Sequence, residues 1–457
     1  SGRRSVPARR EVTRAARCAA QGAGTALITL FVLGMGVGAA PATAGGAPAP
    51  KSAAAPVRFQ LGLNEAVSVP RRRVDALGPE ALARALGDDA ARAASVGATL
   101  VRGHTGAFPR MSRAEWSPRT QAETDAWVRA VQGAKLEAIG MVSPWPGNRT
   151  ANATVRYLPA DLDAYTDWVR RVVERYDGDG VDDMPGLLRP VRYWEVDNEP
   201  DLKFTRPPRD AVRDVPPGTF CPPSEYAAVL RASAAGIHAA SDVARVLGPG
   251  LYRPHTAEGE AYLRDVLAVP GAREALDVLT LHDYVEDDGA TLSRSLARMR
   301  AWGLPLWVTE TSVASTRDPD WHARVLVARV ARAAEAGAEV LLWHTLVDPP
   351  ARAGRVRGPG MADHSLFARV ADGAEPVAKP AARVFRALAG VLASHDALGA
   401  VSDGEGRTRL RDGSVLLWQG RAVAGAGGTD LRTGASVAAG QPVEAPAWLA
   451  ASTARSR

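Results

Sequence analysis

The stretch VRYWEVDNEP, residues 191–200, opens as a buried strand and closes on acids. Val191, Tyr193, Trp194 and Val196 are β-branched and aromatic residues of the kind that pack on a pleated surface. Asp197, Asn198 and Glu199 follow at once, with Asp201 just beyond. Pro200 cannot donate a ladder hydrogen bond, so the strand stops there and its last side chains face an opening. Acids at the carboxyl end of a strand mark a candidate site.

Outward from this stretch the same unit recurs. From residue 58 to about 394 short apolar runs alternate with amphipathic helical patterns, the signature of repeated β/α units around a parallel sheet. The strand candidates are 58–63, 98–103, 136–142, 191–199, 244–250, 276–284, 305–311 and 339–345. Between the third and fourth, Leu162, Tyr165, Val169, Val172, Val173 and Tyr176 recur at helical spacing on one face. Eight such units close naturally into a (β/α)8 TIM barrel. A doubly wound open sheet would carry a Gly-rich phosphate loop after its first strand, and LGLNEAVSV (61–69) has none. In a barrel the site lies at the carboxyl ends of the strands. These ends read Asn64, Arg102, Trp145, Asn198, Glu199, Tyr252, His282, Tyr284, Glu310 and Trp343. Residues 395–457, with short apolar runs separated by turn residues, are expected to form a small β-rich appendage.

Charge argues against a nucleic-acid partner. The formal charge is +6, but the first 44 residues hold six Arg against one Glu, and without them 50 basic residues face 49 acidic ones. A near-neutral body offers no field for a polyanion. The Arg-rich start, the apolar run Thr25–Ala40 and Ala42-Thr43-Ala44 read as a secretory signal cleaved after Ala44, with 45–57 as a linker. The apolar run falls just short of the roughly 17 to 25 residues that span a bilayer, so an uncleaved anchor ranks second and no stable membrane association is expected after cleavage. Cys18 lies in this leader, which leaves Cys221 alone and rules out an internal disulfide. The Arg- and Ala-rich, Lys-poor composition suggests a bacterial protein, secreted, periplasmic or on the cell surface.

Two Glu residues end strands on opposite walls of the expected barrel, Glu199 after strand four and Glu310 after strand seven. Hydrolysis of a glycosidic bond with retention requires a carboxylic acid to protonate the leaving oxygen and a carboxylate about 5–5.5 Å away to attack the anomeric carbon. Either Glu alone reads as a salt-bridged rim residue; the joint placement reverses that preference. The strings Trp194-Glu195-Val196-Asp197-Asn198-Glu199-Pro200 and Trp307-Val308-Thr309-Glu310, with Arg102, His282, Tyr284 and Trp343 in order around them, resemble the retaining glycoside hydrolases of clan A, in the style of families 39 and 5. The resemblance covers about 58–394. It implies that Glu199 is the general acid/base, its pKa raised by Glu310 and by desolvation, and that Glu310 is the nucleophile, kept ionised by Arg102 and Tyr284. It further implies that Asn198 binds the sugar 2-hydroxyl, that His282 orients a carboxyl or binds hydroxyls, and that Trp343 faces the sugar at the reaction centre.

The chain departs from that pattern at Asp197, which sets a third acid beside Glu199, and after strand three, where MVSPWPG (141–147) has no His and Trp145 reads instead as a sugar-stacking surface. Glu65 lacks a following Pro and the strand-four context and reads as a rim or subsite residue. Glu195 is expected to face into the barrel and pair with Arg102, because a buried acid without such a partner is costly. The acids Asp177, Asp179, Asp182 and Asp183 in DGDGVDD read as a solvated turn or as a structural Ca²⁺ loop. Nothing calls for an organic cofactor. Three functions fit: a secreted retaining β-glycosidase acting on a poly- or oligosaccharide, a transglycosylase with the same chemistry, and a silent carbohydrate-binding barrel.

Overall fold

Eight parallel strands close into a barrel in chain order, each hydrogen-bonded to the next and the last to the first. They are β1 Gln60–Asn64, β2 Leu100–Arg102, β3 Glu137–Val142, β4 Tyr193–Val196, β5 Arg245–Leu251, β6 Val278–Asp283, β7 Leu306–Thr311 and β8 Ala338–His344. The computed structural model describes residues 58–69, 77–103, 116–144, 158–159, 161–205, 221–315, 318–348, 363–369 and 374–452. The leader, the linker and Trp145 lie outside these. Among the described residues no helix is long and apolar enough to cross a membrane.

The helices start where local chemistry permits. Helices α1 Pro79–Ser95 and α2 Pro118–Gly133 begin on Pro, whose missing N–H is no loss in a first turn, and Ser117 caps α2 by accepting from the Thr120 N–H at 3.2 Å. Asp161 caps α3, Leu162–Glu174, by accepting from the Ala164 N–H at 2.9 Å, and this helix buries Tyr165, Trp168, Val169, Val172 and Val173. After β4 come the short α4 Pro200–Thr205 and then α5 Pro223–Ala240. The ring continues with α6 Ala257–Leu267, α7 Ala290–Met299, α8 Pro319–Glu335 and α9 Pro380–Ser394.

Strand alternation sorts the side chains into two cores. Leu61, Leu63, Val101, Trp194, Leu341 and Trp343 point outward and pack with the helices. Leu100, Ile139, Leu247, Val278, Trp307, Val340 and Leu342 form a separate apolar cluster inside the barrel. Gly62 belongs to this crowded interior: a Cβ there would lie 2.4 Å from the Leu100 carbonyl oxygen and 2.8 Å from the Leu342 side chain, so only glycine fits.

Beyond α9 the chain forms the β-rich appendage. Six short strands pair antiparallel in the spatial order Val401–Ser402, Arg407–Arg409, Val415–Leu417, Ala447–Leu449, Gly428–Asp430 and Ala435–Val437, while Arg421–Val423 pairs with Pro442–Glu444. It packs on α8, where Thr408 donates to Glu335 at 2.5 Å and the Arg332 guanidinium covers the Trp418 ring at 4.7 Å.

Candidate active site

The site begins one layer above the interior apolar cluster. β4 ends at Val196, earlier than its sequence suggests, because Asp197 and Glu199 adopt left-handed conformations, φ +62° and +51°. Such a conformation costs a non-glycine residue on the order of 1 kcal/mol or more, and persists where the surroundings enforce it. Tyr226 donates to the Val196 carbonyl at 3.0 Å, the Asp197 N–H donates to the Val142 carbonyl at 2.8 Å, and Ser143 donates to the Asp197 carboxylate at 2.8 Å. Asp197 is thereby turned toward β3. Pro200 opens α4, and the buried Asp201 accepts from the N–H groups of Tyr252 and Arg253 at 2.9 and 2.8 Å. This tethers the end of β5 to the turn that carries Glu199.

Arg102 is the hub. Fully buried, it donates to Glu195 through Nε, to Asn64 at 3.0 Å and Glu310 at 2.6 Å through Nη1, and to Asn198 at 2.8 Å through Nη2. Burial works against its charge, but Glu195 and Glu310 outweigh that and hold its pKa above the ordinary value. Glu195 faces inward as expected, and Thr309 donates to its other oxygen at 3.0 Å.

The second oxygen of Glu310 accepts from the Tyr284 hydroxyl at 2.7 Å. Burial first, and the Glu310 charge second, push the Tyr284 phenol well above its usual pKa, so it stays a donor. Thr309 and Glu310 are consecutive yet both reach the Arg102 network. A register shift on each side of β7 permits this, setting His282 opposite Glu310.

His282 donates from Nδ1 to Glu199 at 3.0 Å and lies 3.7 Å from Glu310. Burial opposes charge on its ring, but the Glu310 charge and then the bond to Glu199 prevail and raise its pKa. One oxygen of Glu199, one of Glu310 and a His282 ring nitrogen all lie within 4.8 Å of one another. Both carboxylates remain partly open, with 15% of the Glu199 side chain and 8% of the Glu310 side chain exposed.

Not every expected residue joins this group. Trp343 is buried on the outer side of β8, its ring 5.3 Å from that of His322 on α8 and its Nε1 donating to the His364 carbonyl at 3.1 Å. Alternation along β8 sends the next residue, His344, to the mouth, where it meets Asn64 at 3.1 Å and the Tyr284 ring at 5.8 Å. Asn64, one of the strand ends read from the sequence, is joined by His344, which strand-end counting passed over for Trp343; the in–out parity of Val340 and Leu342 is the signal that finds it. Glu65 sits at the rim with φ +49°, near enough for its charge to act on Tyr284.

A second group able to hold a cation combines Asp177 and Asp179 with Glu174, not with Asp182 and Asp183. Asp183 is occupied in accepting from the Gly178 and Gly180 N–H groups at 3.0 and 2.8 Å. Burial foremost, with acidic neighbours adding, raises the Asp177 pKa to about 6.

Fold and site together define a (β/α)8 barrel with paired carboxylates at the carboxyl ends of β4 and β7. No protein-family model matches the chain, and no curated protein matches it in sequence. Solved structures do match in fold. A glucosidase from Croceicoccus marinus is 17% identical, with 80% of this chain and 76% of that one covered at a TM-score of 0.52. An exo-beta-1,4-mannosidase from Opitutaceae bacterium strain TAV5 is 18% identical over 73% of this chain and 59% of its own, TM-score 0.54. A GH39 beta-xylosidase from Caulobacter crescentus is 18% identical over 79% and 78%, TM-score 0.51. At such identities the likeness is one of fold.

Proposed function

We propose that the protein is a secreted retaining β-glycosidase acting on an oligo- or polysaccharide by double displacement. The observation that carries this reading is the pair Glu199 and Glu310, which bring carboxylate oxygens within 4.8 Å of each other while being held by different partners. Inverting enzymes need their carboxyl groups about 6.5–9.5 Å apart to admit a water, so the short separation favours retention. That three matched barrels are named a glucosidase, a mannosidase and a xylosidase supports carbohydrate as the substrate.

The roles follow from the partners. Glu310, held by Arg102 and Tyr284, attacks the anomeric carbon as the bond to the leaving oxygen breaks, and Glu199 gives that oxygen its proton. Water then attacks the glycosyl-enzyme, Glu199 takes its proton, and the Glu310 carboxylate is released. His282 keeps Glu199 turned toward the centre. Asn198, whose Oδ1 is engaged by Arg102, presents its amide N–H₂ to the sugar 2-hydroxyl.

A screen of aryl β-glycosides and soluble polysaccharides, with the product anomer followed by proton NMR, tests the reading. A β-configured first product is expected, and an inverted one overturns the mechanism. Added acceptor sugars separate hydrolysis from transfer, and a protein that binds glycans without turnover is the silent barrel. Export is part of the proposal: mass spectrometry of the native protein should find Gly45 at the amino terminus, and an intact leader in the membrane fraction contradicts cleavage.

A further inference from the structure

Asn64 and His344 are interior side chains of the upper layer to which the proposed mechanism gives no task. They stand opposite each other in the β1–β8 register, and Asn64 is also in register with Arg102. Arg102 has five donors and no acceptor. Because its Nη1 donates to Asn64 Oδ1 at 3.0 Å, the orientation of the Asn64 amide is settled, and its nitrogen is the atom that meets His344. That nitrogen can only donate, so His344 Nδ1, 3.1 Å away, accepts, and the ring proton is on Nε2. Nε2 has no hydrogen-bond partner among the described residues, and it is not one of the sealed polar atoms; His344 as a whole is 8% exposed. Below it lies the apolar layer of Val340 and Leu342, so the opening is toward the mouth. The Tyr284 ring, 5.8 Å away and at 86° to it, fixes the imidazole plane.

We propose that His344 is a specificity-determining residue whose Nε2–H donates to a hydroxyl oxygen of the neutral sugar bound between Glu199 and Glu310, with Asn64 as the positioning residue that sets its tautomer. The inference rests on the glycosidase reading. It assigns to the β8 side of the mouth a directional donor where an indole would have offered an apolar face, and so favours a sugar with a hydroxyl on that side over its deoxy analogue.

Two substitutions separate donation to sugar from support of Asn64. In His344→Gln the side-chain amide nitrogen replaces Nε2, keeping the donor and losing the acceptor for Asn64. In His344→Asn the amide oxygen replaces Nδ1, keeping Asn64 satisfied and losing the donor. With the 4-nitrophenyl β-glycosides of glucose, mannose and xylose as probes, His344→Asn is expected to lower kcat/KM about tenfold on the sugar turned over best, the worth of one neutral hydrogen bond, and His344→Gln by clearly less. The reverse order assigns His344 a purely structural role and overturns the proposal. Nitrogen-15 NMR of histidine-labelled wild-type protein, with His344 assigned by its loss in His344→Gln, should show the proton on Nε2; a proton on Nδ1 also overturns it. If the wild type hydrolyses none of the three glycosides, the glycosidase reading is what has failed for them. The inference is then decided by titrating the free sugars: a shift of the His344 Nε2 resonance sustains it and no shift with any of them sinks it.

Discussion

Leu100 and Arg102 stand two residues apart on one strand, both fully buried and both facing the barrel axis. Around Leu100 the layer is Ile139, Leu247, Val278, Trp307, Val340 and Leu342, and burial of such surface stabilises by about 25 cal/mol per Å². Around Arg102 it is Asn64, Glu195, Asn198 and Glu310. Buried ion pairs roughly break even against apolar packing, so the upper layer adds little to stability while it confines four side chains to fixed distances. The lower layer holds the fold and the upper one spends none of its geometry on that. Substitutions above that leave Arg102 paired with Glu195 should therefore cost activity at nearly constant stability, and substitutions below the reverse.

The largest expected departure is Glu310→Gln. Removal of the attacking carboxylate should lower kcat by a factor on the order of 10⁵, as loss of a nucleophile does elsewhere, while Arg102 keeps Glu195 and the midpoint of thermal unfolding moves by only a few degrees. A collapse in thermal stability would break the comparison. Next comes Glu199→Ala, expected to cost about 10² to 10⁴ in rate on glycosides with poor leaving groups and far less in the glycosylation step of a dinitrophenyl glycoside. Azide should restore the second step, since a small anion needs no general base. Equal losses on both substrates without rescue would remove Glu199 from the acid/base role.

Below the site, Trp307→Ala should reduce the free energy of unfolding by about 3–5 kcal/mol, from lost burial and the cavity left behind, with kcat of the folded fraction unchanged. Urea titration against active-site titration measures both.

Two histidines give pH-dependent effects of opposite sign. His322, beside Trp343 on the outer side of β8, has its pKa pushed down to about 3, by burial first and then the Lys379 charge. The unfolded state, titrating near 6.5, binds the extra proton, so stability should fall by roughly 1 kcal/mol per unit as pH drops from about 6.5 toward 3. His322→Phe should flatten that slope. His282 carries the opposite sign: with its folded pKa raised above 6.5, its contribution is fully present below 6.5 and is lost as pH rises through the folded value. A wild-type stability profile that His282→Gln leaves unchanged above pH 6.5 would contradict the pairing with Glu199 and Glu310.

Much of this was legible in residue order because the barrel uses local rules: eight short apolar runs between helical stripes, with Glu199 and Glu310 at the ends of two of them. Glu195 facing Arg102 could be argued from alternation and the cost of an unpaired buried charge. What escaped was set by departures from alternation or by pairings distant in sequence. Trp343 sits at a strand end but on the wrong parity, and His344 takes the mouth. The strand-end position of Glu310 places it at the mouth, but the register shifts on either side of β7 that accompany it are announced by no periodicity. The turn bonds that Asp183 accepts from the Gly178 and Gly180 N–H groups were likewise not announced by the spacing of the acids. In the appendage, Val415–Leu417 pairs with Ala447–Leu449 across four intervening strands, a long-range choice that short runs of three residues do not encode.

The central claim is that Glu310 bonds to the sugar. The direct test is to incubate the protein with the 2-deoxy-2-fluoro dinitrophenyl derivative of the sugar it hydrolyses best, digest it, and map the added mass. The account predicts stoichiometric inactivation, one labelled peptide containing Glu310, and slow recovery of activity when the reagent is removed. Label on any other side chain, or turnover without label to a product of inverted configuration, would contradict it.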